Sequence, residues 1–304
     1  MFGLDNVNQY IDWWHESLPG PSEGFDHEGT LTSIIFTPTL TIGLSNYWNL
    51  TLSQSLGNRI MTWNGDSTTI HHRDEEALSG FVNANGGVVG DARITLRYLL
   101  FNDGQGEGKR WFLGGGLVIP SKNTLTSDPF FPSGEKIKTD HRHFSMSEGV
   151  YKGIFEMQYF KKQMINPVFL GGTIMAELPL NENIYGYRAS QLYNLSLTVF
   201  SKLIPSISGS LGGSMIAQHT TEAYWNGLAA PNSSATVITI GGGVLWNPKV
   251  GGVSVNIQKP FFIGGAFSGT ESKVDQRVGA WQVSLSYRRL LSFMIPWLDP
   301  LKNI

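Results

Sequence analysis

The feature that most constrains this chain is an alternation of period two whose polar face is mostly uncharged. In the stretch from Tyr187 to Val199, Tyr187, Ala189, Gln191, Tyr193, Leu195, Leu197 and Val199 fall on one parity, mostly apolar and aromatic. Arg188, Ser190, Asn194, Ser196 and Thr198 fall on the other. The same pattern returns at Trp281, Val283, Leu285 and Tyr287 against Gln282, Ser284, Ser286 and Arg288, and at Val253, Val255 and Ile257 against Ser254, Asn256 and Gln258. Ala92, Ile94, Leu96 and Tyr98 likewise oppose Asp91, Arg93, Thr95 and Arg97. Successive side chains of a strand point to opposite faces, so each segment has one apolar and one hydrophilic face. A soluble sandwich alternates too, but covers its outer face with Lys and Glu. Here that face is mostly Ser, Thr, Asn and Gln, which suits a watery interior wrapped by a lipid-facing exterior.

Strands are expected near 29–43, 47–63, 88–101, 110–120, 144–161, 167–180, 185–201, 205–219, 234–247, 250–262 and 276–288. Their connections alternate in length. Short ones fall at Ser45-Asn46, Gln163 to Pro167, Leu203 to Pro205 and Pro248-Lys249, and long ones at 64–87, 121–143, 220–233 and 263–275. Short turns at one end and long loops at the other are the arrangement of an outer-membrane barrel, short side periplasmic. Such barrels have even strand numbers and the first strand read here runs down from the long-loop side, so another should precede it. The expectation is an all-β fold: a transmembrane antiparallel up-and-down β-barrel of about 12 strands. Residues 1–27 supply a first strand or, with Val7, Tyr10, Ile11 and Trp14 at helical spacing, a plug. The barrel covers 28–289, and 290–304 form an interfacial tail. Trp48, Trp63, Trp111, Tyr151, Trp246 and Trp281 lie near strand ends, where aromatic girdles are expected. Pro38 cannot donate a ladder hydrogen bond and marks a bulge or kink.

Composition narrows the classes further. The 304 residues hold 36 Gly, 12% aromatics and only 15% charged residues, with a net charge of -2 and no Cys. Near neutrality argues against a nucleic-acid partner, and without Cys there is neither a disulfide nor a thiolate metal site. No apolar run is long enough for a transmembrane helix. The opening MFGLDNVNQYIDWW lacks a basic n-region followed by an apolar h-region and does not read as a signal peptide. The Gly-rich stretch 114–116 lacks phosphate-binding spacing, so no cofactor is expected.

Two segments carry a family resemblance. Gly90-Asp91-Ala92-Arg93-Ile94-Thr95-Leu96-Arg97-Tyr98 leads through the turn Asn102 to Gly106 into Gly114-Gly115-Gly116-Leu117-Val118-Ile119-Pro120-Ser121. This hairpin resembles that of the outer-membrane meta-pathway phenol degradation protein family, and Val253 to Phe262, with Gln258 and Pro260, resembles its penultimate strand. The resemblance spans 28–289, with longer loops and a divergent start. It implies a barrel of about 12 strands and uptake of small hydrophobic or aromatic compounds.

On this reading Asp91, Arg93, Arg97, Lys152, Glu156 and Arg188 project into the lumen, where paired charges plug or constrict a narrow barrel. Arg93 and Arg97 are expected at the constriction. The leading function is a passive channel for a small-molecule solute in the bacterial outer membrane, in contact with membrane lipid and lipopolysaccharide. An alternative is a non-conducting barrel whose long loops anchor a surface protein. A third is a lipid acyl hydrolase, because His143 and Ser145 would share one face of a strand, although no third group at the same parity orients the imidazole. His71-His72-Arg73-Asp74-Glu75-Glu76 and Asp140-His141-Arg142-His143 lie in long loops. Two such loops could share a metal, but hydrated loop tips explain them better and no metal is expected.

Overall fold

A lipid-embedded sheet must pair every backbone group, and this chain does so by closing on itself. The computed structural model describes residues 1–16, 26–64, 80–104, 106–130, 141–268 and 275–291. Its strands are β1 (Phe2–His15), β2 (His27–Gly43), β3 (Trp48–Asn64), β4 (Val89–Asn102), β5 (Gly108–Ile119), β6 (Lys152–Lys162), β7 (Phe169–Pro179), β8 (Tyr187–Arg188), β9 (Leu192–Ile204), β10 (Gly209–Thr220), β11 (Tyr224–Trp225), β12 (Leu228–Ala229), β13 (Ala235–Trp246), β14 (Gly252–Gly265) and β15 (Gln276–Arg289). Twelve of these form a closed antiparallel barrel in the order β1-β15-β14-β13-β10-β9-β7-β6-β5-β4-β3-β2. The short β8, β11 and β12 form a separate sheet beyond the long-loop end.

The first residues form β1, a wall strand rather than a plug. It pairs with β15 from Phe2↔Arg289 to His15↔Gln276 and with β2 on its other edge. The wall therefore runs from Phe2 to Arg289, with the first and last strands side by side. Two expected strands are shorter than the sequence pattern indicates. Residues 144–151 precede β6 as loop, and 185–191 precede β9 as loop and the small sheet. Both stretches continue the alternation, but their backbones bond within the loops. Pro38 interrupts the β2–β3 ladder without a bulge: the pairing lapses at Thr37 and Pro38 but keeps one register from Phe36↔Leu56 to Thr39↔Ser53.

The alternation sorts as a membrane barrel requires. Ile94, Leu96, Leu113, Phe155, Ile174, Leu197, Ile240, Ile257, Val283 and Leu285 are exposed on the outside, while Thr95, Glu156, Glu177, Thr239 and Gln258 at the opposite parity are buried. In water these outer side chains would be costly; each gains about 1.5–3 kcal/mol on transfer to an apolar medium. Trp48, Tyr151 and Trp281 face outward as girdle residues. Trp63 does not: it turns inward against Trp13, 5.0 Å between ring centroids. Ile11, Trp13 and Ala280, with Leu31, Met61, Phe262 and Val278, make an apolar cluster inside the long-loop end. The tail beyond Leu291 and His71 to Glu76 lie outside the described residues.

Ile257 stands midway along β14 on the outer face. Ile257→Arg is expected to cost about 2–4 kcal/mol, measured as a lowered urea midpoint for the barrel folded in lipid vesicles. An unchanged midpoint would contradict the lipid-facing assignment.

Candidate functional site: a charge-bridged lumen

The lumen divides into a charged wall on β3–β7 and a neutral wall on β9–β15 and β1. On the charged wall, Arg97 of β4 and Glu156 of β6 are separated by β5, where Gly114 lies opposite both residues. With no side chain in the way, the Arg97 guanidinium lies across β5 and donates through Nε and Nη2 to the two carboxylate oxygens of Glu156. A Cβ at Gly114 would stand 2.6 Å from Glu156 Cγ, so glycine is required by this close approach. Arg97 Nη1 also donates to Thr51 Oγ1 at 2.6 Å. Arg93 reaches farther, from β4 to Glu177 on β7, with Nε–Oε1 2.9 Å and Nη2–Oε2 3.4 Å. Glu177 is only 2% exposed; an unpaired carboxylate there would lose its hydration without replacement, and the bidentate arginine supplies it.

The β5–β6 loop folds against this wall. Arg59 Nη1 donates to the Ser145 carbonyl and Arg142 Nη2 to the Arg59 carbonyl. Asn83 pairs with Arg142 in both directions, at 2.9 and 2.8 Å, and the Arg142 guanidinium lies 4.8 Å from the Phe81 ring centroid. Asp91 accepts from the Ser121 N–H, while Lys152 pairs with Glu148. Tyr187 donates to Glu148 from the small outer sheet; burial and the adjacent carboxylate hold its phenol well above the ordinary range.

Of the residues expected in the lumen, Arg93, Arg97 and Glu156 are brought together as the bridging cluster. Asp91 and Lys152 instead tie down the loop. Arg188 is a correction: it sits exposed on β8, its guanidinium 4.2 Å from the Tyr224 ring centroid, because the barrel strand begins only at Leu192. Glu177 escaped sequence reasoning although it is the single acid in the apolar strand FLGGTIMAELP, a position that demands a buried partner. His143 and Ser145 lie in loop rather than on a strand, so the shared face needed by a hydrolase pair does not form. The Ser145 hydroxyl donates to the Ser147 carbonyl, and the His143 ring packs against Phe130 and His141. Among the described residues no group of three or more potential metal ligands gathers.

The neutral wall uses the same glycine device. Gly241 of β13 lies between Ser214 of β10 and Gln258 of β14, and Gln258 Nε2 crosses it to reach Ser214 Oγ at 3.1 Å. Gln282 continues the row by donating to Gln258 Oε1 at 2.8 Å. A cavity of about 260 Å3 opens beside this row. Its one carboxylate, Asp5, is held by Arg288 at 2.7 Å.

No family model matches the chain, and no curated protein matches it in sequence. Solved structures match in fold. An outer membrane channel from Pseudomonas putida F1 aligns with a TM-score of 0.60 at 13% identity, covering 95% of each chain. LpxR from Salmonella typhimurium, at a TM-score of 0.36 and 9% identity, covers 92% of this chain and 100% of its own. OmpT of Vibrio cholerae, in its trimer form, has a TM-score of 0.35 and 11% identity, covering 94% and 99%. The first alignment shows a shared outer-membrane barrel fold and supports the family resemblance at that level alone. The other two are too loose to carry an argument.

Two substitutions test this geometry. Gly114→Val should separate Arg97 from Glu156 and cost on the order of 1–3 kcal/mol, read from the urea midpoint, with Gly114→Ala less affected. Arg142→Ala should release the loop, seen as faster amide hydrogen exchange across 141–150 with strand exchange unchanged.

Proposed function

We propose that this chain is a passive channel of the bacterial outer membrane, admitting small solutes down their concentration gradient. The observation that carries the reading is the division of the lumen: Arg93 and Arg97 span toward Glu177 and Glu156 on one wall, while the other stays lined by hydroxyls and amides around a cavity. Within the bridging cluster, Arg59, Arg93, Arg97 and Lys152 are matched by Asp91, Glu148, Glu156 and Glu177; Arg110 and Lys162 share the inward parity only nearer the short turns. Such matched charges narrow a bore without giving it a strong net field, so selection rests on size and hydrogen bonding more than on charge. The shared fold with an outer membrane channel supports this reading. The hydroxyls and amides of the neutral wall favour a polar solute over the hydrophobic or aromatic cargo that the family resemblance implied.

The second reading, a non-conducting barrel whose long loops hold a surface partner, draws on the small outer sheet. Its strands join Tyr187 to Trp225 in a ring contact of 4.8 Å, and it carries Leu228 at 72% exposure, while Ile184 in the turn before β8 is 91% exposed. An ordered apolar surface there suits protein contact.

Single-channel recording of the refolded protein in a planar bilayer separates the two. Small, steady openings are expected. The double variant Arg93→Ala, Arg97→Ala should raise conductance several-fold and shift selectivity toward cations, since Glu156 and Glu177 would remain. Silence from a correctly folded barrel would favour the second reading, and wild-type conductance in the double variant would remove these arginines from the constriction.

A further inference from the structure

The lumen contains a row of aromatic rings that the channel reading does not yet use. Phe112 of β5, Phe160 of β6, Phe169 of β7 and Phe200 of β9 share the inward parity of Gly114, Glu156, Glu177 and Thr198. They meet in succession, with centroid separations of 6.1, 5.9 and 5.9 Å. All four are half-buried and lie toward the short-turn end, so the row crosses four neighbouring strands below the arginine bridges. Phe200, its last member, also lines the cavity of the neutral wall.

That cavity joins two surfaces. Val7, Ile216 and Phe200 give it an apolar side; Ser196, Thr198 and Asn256 give it hydroxyl and amide groups. Among the described residues these three polar side chains make no hydrogen bond with the protein, whereas Gln258, Gln282, Ser284 and Ser286 beside them are committed to one another or to Asp5. Groups left open along the cavity lining are available to a solute. The volume, about 260 Å3, falls just below the roughly 300–1,000 Å3 of sites for drug-sized molecules, which fits one ring with its substituents.

We propose that the cavity and the phenylalanine row form a track for small uncharged polyhydroxylated rings, of the monosaccharide class. The inference rests on the channel reading and adds its cargo. A sugar ring presents C–H faces and a hydroxyl edge. The faces slide along the phenylalanines, and the edge takes up Ser196, Thr198 and Asn256. A hydrophobic ring would use the row but displace water from those three groups without replacing its hydrogen bonds, an imbalance that weighs against it. An ion would meet no unpaired countercharge, because Asp5 and Arg288 already satisfy each other.

The test uses the full-length barrel in proteoliposomes, following swelling in D-xylose, D-glucose and L-alanine, with KCl conductance recorded in parallel. A plain sieve passes the smaller L-alanine fastest. The track predicts the reverse order, both sugars entering faster than L-alanine. Thr198→Val combined with Asn256→Leu should slow the sugars several-fold more than it changes L-alanine entry or KCl conductance; Phe169→Ala should act in the same direction. Faster entry of L-alanine than of either sugar would overturn the proposal while leaving the channel reading intact, as would unchanged sugar rates in the variants of a conducting barrel. Absence of both ionic current and swelling with every solute would defeat the channel reading and the track together.

Discussion

Hydrocarbon offers no hydrogen-bond partner to a peptide group, and everything else in this molecule follows from that constraint. An open sheet would leave two rows of amides and carbonyls facing lipid, each unpaired group costing several kcal/mol. The pairing of β1 with β15 removes both rows at once. Closure then fixes the inside and outside of every strand, because side chains alternate and each parity has only one destination. Outward positions become apolar. Inward positions become free to carry the hydroxyls, amides and charges that lipid excludes.

Inside the ring, the difficulty is to satisfy polar side chains in a narrow space. Glycine on an intervening strand provides the solution twice. Over Gly114 the arginine of β4 reaches the glutamate of β6; over Gly241 the glutamine of β14 reaches the serine of β10. Side chains laid flat along the wall keep their partners without projecting far into the bore. They also connect strands that share no backbone hydrogen bonds. The longer Arg93–Glu177 bridge extends this from second neighbours to third neighbours around the ring. A charge-bearing wall is thereby balanced locally, and the opposite wall is left neutral.

The barrel was legible because the strand period and the alternation of connection lengths are properties of the chain itself. So was the place of Arg93, Arg97 and Glu156, since parity alone puts them inward. Parity failed at Arg188, His143 and Ser145. Alternation continues through these loop segments, and nothing in the pattern marks where the barrel strand gives way to a loop with its own hydrogen bonds. The identities of the partners were hidden for another reason. Which acid meets which arginine depends on register across several strands, and register comes from long-range pairing that single segments do not encode. The aromatic row shows the same limit: Phe112, Phe160, Phe169 and Phe200 are far apart in sequence and become neighbours only through the order of the strands.

The side-by-side placement of the first and last strands also bears on how the molecule is made. Asp5 and Arg288 are 283 residues apart in sequence, whereas the other neighbouring barrel strands follow one another along the chain, five pairs of them joined by turns of four to six residues. By loop-closure entropy alone, a separation of 283 residues costs about 5 kcal/mol against roughly 1 for a four-residue turn. Hairpins therefore form early, and the pairing of β1 with β15 comes last, once the intervening strands have already brought the chain ends together. Until then β1 waits as an exposed edge. The time this edge stays open is the interval in which the nascent chain is most prone to pair with the wrong neighbour.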